Sequence, residues 1–200
     1  MACLTIRSNN AIVVGRIVLP VSYDGGKMRK IMLLRGVNVG GVKLPMKGFC
    51  EMLQSLGLER VRSYIQSGNV VFDDPGLPDL KGAIAKELKA QFGLLSALFI
   101  YGIETFETIM SANPFLADAR IDGAKVFAFF LDEPAVLDVS ALQTYATSER
   151  FHLTNKALFL HAPDGIGRSL LAEKVQRQLK VLHTARNWNT VRAIHELSKS

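Results

Sequence analysis

Ile31-Met-Leu-Leu-Arg-Gly-Val-Asn-Val-Gly-Gly41 runs from an apolar segment into a loop with three glycines, one arginine and one asparagine. A helix start follows at Leu44-Pro45-Met46. Strand, glycine loop and helix start is the order in which a backbone turns its N–H groups toward an anion.

Working outward, the first strand covers about Lys30 to Arg35. Met46, Phe49, Met52, Leu53 and Leu56 keep helical spacing, so a helix is expected from Pro45 to Leu56, stopped by Gly57. Strands follow at about Val61–Gln66 and Val70–Asp73, joined by the tight-turn signal Ser67-Gly68-Asn69. After the breaker Asp74-Pro75-Gly76, Leu80, Ile84, Leu88 and Phe92 predict a helix over 78–92, and a fourth strand covers about Leu95–Tyr101. The order is β-α-β-β-α-β, the pattern of a ferredoxin-like domain.

A connector with a short helix, Glu104–Ala112, ends at Asn113-Pro114. The element order then recurs. A strand is expected over Lys125–Leu131 and a helix over Pro134–Tyr145. Strands at Glu149–Leu153 and Ala157–His161 precede a helix over Gly167–Leu179 with Leu170, Leu171, Val175 and Leu179 on one side. A short strand, Val181–His183, leads to a last helix from about Asn187 to Ser198. The expected fold is α+β, an alpha-beta plait of two ferredoxin-like halves with an extra C-terminal helix. The halves are 28–103 and 124–200, with 104–123 as connector. Residues 1–27 read as a disordered or non-native extension ahead of Met28; the rival reading is one extra edge strand, Ala11–Val21.

Hydrophobic residues make up 48% and charged residues 21% of 200, ordinary for a soluble globular protein, and no apolar run is long enough to span a bilayer. The formal net charge of +6 favours an anionic partner, with a merely basic protein as the plain alternative. Cys3 and Cys50 make no disulfide framework, and the four histidines show no metal-ligand spacing, so a reducing cytoplasm fits and no metal or other cofactor is implied.

In a ferredoxin-like unit the first strand–helix loop and the middle hairpin turn emerge at one end. That joins Arg35–Gly41 to Gln66–Asn69. In the second half the rich loops are Asp164–Ser169 and Arg186–Thr190, and head-to-tail packing would bring all four to one cleft. Arg35, Arg168 and Arg186 suit phosphate or carboxylate oxygens. Gly36, Gly40, Gly41, Gly165 and Gly167 allow close backbone approach. Asn38, Gln66, Asn69, Asn187 and Asn189 both donate and accept, Ser67 lies among them, and Trp188 offers a stacking surface. Each has a structural alternative: a plain glycine turn, a hairpin asparagine, a core tryptophan, a helix cap at Arg186-Asn187. The basic stretch 165–200 reads as a solvated face or a nucleic-acid surface. Catalytic signals are thin: Ser67 has no nucleophile-elbow motif, and Asp73-Asp74 and Asp132-Glu133 are adjacent pairs that point to opposite faces.

Leu33-Leu-Arg-Gly-Val-Asn-Val-Gly-Gly41, Tyr64-Ile-Gln-Ser-Gly-Asn-Val-Val-Phe72, Asn113-Pro-Phe115, Asp164-Gly-Ile-Gly-Arg-Ser169 and Arg186-Asn-Trp-Asn-Thr-Val191 resemble the bacterial domain of unknown function 1697 family, from about Met28 to the C-terminus. The resemblance implies an α+β fold on ferredoxin-like elements and no established activity. One departure is Leu170, where a lysine is expected after Arg168-Ser169. The function expected from residues alone is binding of an anionic ligand, a nucleotide or nucleic-acid phosphate, between the halves. The alternatives are an enzyme on a phosphorylated or acylated small molecule, and an interaction module whose motifs are structural.

Overall fold

The computed structural model describes residues 5–7, 11–14, 17–20, 28–117 and 121–200. The extension 1–27 falls largely outside the described residues. Within it β1 (Thr5–Arg7), β2 (Ala11–Val14) and β3 (Ile17–Pro20) pair antiparallel in a sheet of their own, so the stretch expected as an edge strand joins neither larger sheet.

The first half holds β4 (Met28–Leu34), α1 (Met46–Ser55), β5 (Glu59–Tyr64), β6 (Asn69–Asp74), α2 (Leu80–Phe92), β7 (Leu98–Gly102) and α3 (Ile103–Ser111). The second half holds β8 (Val126–Leu131), α4 (Val139–Gln143), β9 (Arg150–Leu153), β10 (Ala157–His161), α5 (Leu170–Gln178), β11 (His183–Asn187) and α6 (Trp188–Ser198). Each half therefore builds one antiparallel four-stranded sheet, ordered β5-β6-β4-β7 and β11-β8-β10-β9. Three expectations need correction. The helix over 134–145 shrinks to Val139–Gln143, started by the Asp138 cap on Ala141 N. Leu170 is the first residue of α5 and is half exposed, so the buried face is Leu171, Ala172 and Val175. The final strand is His183–Asn187 rather than Val181–His183, because the polar run Thr184–Asn187 pairs with Phe127–Phe130 of β8.

The period-2 alternation of the strands sorts apolar side chains between cores. Met32, Leu34, Val70 and Phe72 face α1 and α2. Phe129, Leu131, Leu158 and Leu160 face α4 and α5. The opposite faces, with Ile31, Leu33, Val71, Ala128, Phe130 and Phe159, share a central core with α3 and α6. There Phe106 and Phe130 stack at 5.5 Å between ring centroids. Both sheets are thus covered on two sides, which explains their near-continuous hydrophobic runs.

The halves repeat each other in detail. Leu34 N donates to Gly68 O and Leu131 N to Lys156 O; Arg35 N donates to Ala97 O and Asp132 N to Leu182 O. Leu34 pairs with Leu98 as Leu131 pairs with His183, and Ile31 with Tyr101 as Ala128 with Arg186. Helix α3, expected as part of a connector, is therefore the counterpart of α6: each half ends in a helix that fills the central core.

The far end of α6 is tied to β4. Arg29 donates to the carbonyls of Leu197 (3.4 Å), Ser198 (3.2 Å) and Ser200 (2.7 Å), and to Asp73 at 3.1 Å. Burial pushes the Asp73 carboxyl up, but Arg60 and Arg29 more than offset it and hold it below the ordinary value. Asp74 behaves alike, outweighing burial with Lys30 at 2.8 Å and the N–H groups of Leu77 and Gly76. A depressed folded value stabilises the fold above the unfolded value, about 3.9, and that contribution fades as pH falls through the folded one. Urea unfolding should accordingly show stability dropping below about pH 4. Asp73→Asn should be less stable at neutral pH and flatter through that window; an equal acid loss in both proteins would contradict the assignment.

Candidate functional site

Gly68 fixes the meeting of the first two loops. At φ 71° it suits glycine, and a Cβ there would strike the Val37 side chain and come within 2.8 Å of the Leu34 Cβ. Asn38, at φ 55°, closes the other side. Its amide nitrogen donates to Leu44 O at 2.9 Å and to Gln66 O, and its oxygen accepts Leu44 N at 2.8 Å. The expected junction of Arg35–Gly41 with Gln66–Asn69 is therefore present.

Arg186 of β11 joins this end to the second half. Its side chain is 8% exposed, and all five of its N–H groups are used. Nε donates to Asn69 Oδ1. One terminal nitrogen donates to Thr184 Oγ1 and Ala185 O at 2.8 Å each, the other to Leu34 O at 2.8 Å and Ser67 O at 2.9 Å. Asn69, fully buried, also donates to Tyr64 O and Ser67 Oγ. Among the described residues no carboxylate pairs with Arg186. Burial pulls its pKa down to about 10, so it stays cationic at neutral pH.

Beside this staple lies a cleft of about 450 Å³ lined from both halves. Arg35, Gly36, Val37 and Ser67 come from the first; Phe129, Gln176, Thr190 and all of His183–Asn187 come from the second. Among the described residues no Asp or Glu lines it. Arg35 is exposed and has no hydrogen-bonding or ionic partner for its guanidinium there.

The cleft gathers Arg35, Gly36, Ser67, Arg186 and Asn187 of the residues singled out from sequence, and not the rest. Gly40, Gly41, Gln66 and Asn189 are exposed outside its lining. Asn38 and Asn69 spend their amides on protein groups, so they cannot read a ligand edge. Arg186 likewise has no N–H left to fork onto a ligand and contributes only its charge. Asn187 caps α6 by accepting Asn189 N at 3.0 Å and donates to Ala124 O at 2.7 Å. Trp188 is 2% exposed and meets Phe159 edge-on, so it is core and not a stacking platform. Arg168 lines a neighbouring cavity of about 370 Å³ with Ser169 and Glu173, which shares only Gln176 with the cleft; the fourth loop is adjacent rather than convergent.

Sequence reasoning missed His183, Thr184, Gln176 and Thr190. With Asn187 capping α6, the residues just before it lie outside the helix; they form β11, all of which lines the cleft, with His183 as its first residue. His183 Nδ1 lies 3.0 Å from Val181 O, and its ring tilts against Phe129 at 6.0 Å. A carbonyl only accepts, so Nδ1 carries the hydrogen of the neutral ring and Nε2 is left as an acceptor.

A second cleft, about 290 Å³, occupies the equivalent place in the repeat. It is lined by Leu98–Gly102, Thr105, Leu131 and Asp132, with Lys81 and Lys156 at its rim. By strand register Asp132 stands where the first cleft has Arg35, Leu98 where it has His183, and Tyr101 where it has Arg186. The architecture alone therefore demands none of those three cationic or basic residues.

A conserved bacterial protein from Streptococcus pneumoniae superposes with a TM-score of 0.67 at 22% identity, covering 87% of this chain and 99% of its own. No curated protein matches. If Arg186 is the staple described, Arg186→Met should lose about 3–5 kcal/mol in denaturant titration by orphaning buried acceptors, while Arg35→Ala should stay within about 0.5 kcal/mol of the parent. Equal effects would contradict the division between a structural and a free arginine. Residues 28–159 match the family described as protein of unknown function DUF1697, a span that stops before the loops at 164–169 and 186–191, and the chain belongs to that family.

Proposed function

We propose that this protein binds a small anionic ligand, a nucleotide or another phosphate ester, in the cleft between two ferredoxin-like halves. The ferredoxin-like reading is supported by the strand order: both sheets place their strands fourth, first, third, second, all antiparallel. The ligand reading rests on one observation: a cleft free of Asp and Glu among the described residues, walled by a buried arginine that no carboxylate neutralises. A buried cation is costly unless paired, and a bound anion supplies the missing charge.

Two further observations support it. Arg35 is free to fork onto ligand oxygens, and Thr190 of the first turn of α6 adds a hydroxyl to the cleft wall. The repeat acts as an internal control, since the second cleft puts Asp132 in Arg35's place. The volume lies within the range of about 300–1,000 Å³ usual for small-molecule sites. It favours a compact ligand over a nucleic-acid strand.

The enzyme reading gains from His183, an imidazole lining the same cleft as Arg35. Thermal-shift and calorimetric titration with nucleotides, sugar phosphates and short oligonucleotides decide among these. A phosphorylated small molecule should raise the melting temperature, and Arg35→Asp, which copies the repeat's residue, should weaken binding at least about tenfold. A steep salt dependence with oligonucleotides would instead indicate several phosphate contacts and a nucleic-acid partner. No shift with any anion would overturn the proposal.

A further inference from the structure

We infer that the cleft holds a terminal, doubly charged phosphate between the Arg35 guanidinium and His183 Nε2, with His183 binding in its protonated form. This rests on the ligand reading above and adds the ligand's charge state and a second contact.

His183 is held in one orientation. Val181 O fixes Nδ1–H at 3.0 Å, and the Phe129 ring packs against the imidazole. The tautomer is thereby chosen, and one ring atom, Nε2, is left for a ligand. The cleft lining that His183 belongs to is drawn from both halves. Arg35 follows β4, Ser67 precedes β6, and Phe129 belongs to β8. Gln176 belongs to α5, Arg186 and Asn187 to β11, and Thr190 to α6. Among the described residues lining the cleft two are cationic and none is a carboxylate, so protonation of His183, on the α5 face of β11, adds a third positive charge to the empty cleft. A dianion reverses that penalty, and a monoanion or carboxylate offsets less of it. Arg186 cannot compete for ligand oxygens, since its five N–H groups are occupied. The direct contacts fall to Arg35, His183 Nε2–H, and the hydroxyls of Ser67 and Thr190. The second cleft, with Leu98 and Asp132 at the corresponding positions, lacks this pair.

The sign follows from linkage. A bound anion raises the value at which His183 loses its proton. The affinity it adds is fully present below the free-state value and is lost as pH rises through the bound-state one. Sulfate is the probe, because it keeps both charges throughout, and inorganic phosphate is the second ligand. Calorimetry on the full chain from about pH 5.5 to 8 should show sulfate affinity falling about tenfold or more with rising pH. In His183→Gln the profile should be flat and low, with the Arg35-dependent part remaining. The imidazole resonance of His183 in the unaltered protein should titrate at higher pH with sulfate than without; this needs no variant to fold.

If sulfate binds, Arg35→Ala weakens it, and neither the resonance nor the pH profile depends on His183, this inference falls and the ligand reading stands. If binding occurs but is indifferent to both residues, both fall. If neither sulfate nor phosphate binds at any pH, both fall as well.

Discussion

The five hydrogen bonds of the Arg186 guanidinium hold this molecule in its shape. They reach Asn69, Ser67 and Leu34 in the first half and Thr184 and Ala185 in the second. Buried donors left unpaired are expensive, so the two halves are held in one relative placement by a group that only that placement satisfies. Arg29 performs a comparable task at the far end of α6, on the carbonyls of Leu197, Ser198 and Ser200. Between these clasps the central core closes on α3 and α6.

The staple has an electrostatic consequence. Carbonyls, an amide and a hydroxyl satisfy the N–H groups of Arg186 but leave its charge uncancelled. Arg35 adds to the same field, and His183 lines the same cleft. The repeat shows how unusual this is, for its corresponding positions carry Tyr101, Asp132 and Leu98. One framework built twice has been given different chemistry at its two seams. The chain concentrates free charge at the seam where Gly68, Asn38 and Asn69 shape the wall.

Much of the fold was legible in the sequence because local signals and tertiary demands agree. The glycine loop, the hairpin turn and the runs Ile31–Leu34, Val70–Phe72 and Val126–Leu131 follow from short continuous apolar segments bounded by turn chemistry. Strand β11 was misplaced because its inner side chains, Thr184 and Arg186, are polar, and their partners lie 115 or more residues away in the first half. No local window contains Leu34 O or Asn69 Oδ1. The site was half legible for the same reason: residue types near the cleft could be named, but whether an arginine was free or fully bonded depended on contacts across the seam. Arg35 and Arg186 look alike in sequence and do different work. His183 was passed over because a lone histidine after Val181-Leu182 carries no spacing signal.

The most direct test of an uncompensated cationic seam is a crystal of the protein soaked in selenate, a sulfate isostere whose anomalous scattering locates it without reference to the protein. A site between Arg35, His183 and the first turn of α6, with the Arg186 bonds to Leu34, Ser67 and Asn69 intact, is the expected result. Selenate bound only at the Lys81–Lys156 rim of the second cleft or on outer surface residues, with the first cleft empty, would contradict the account.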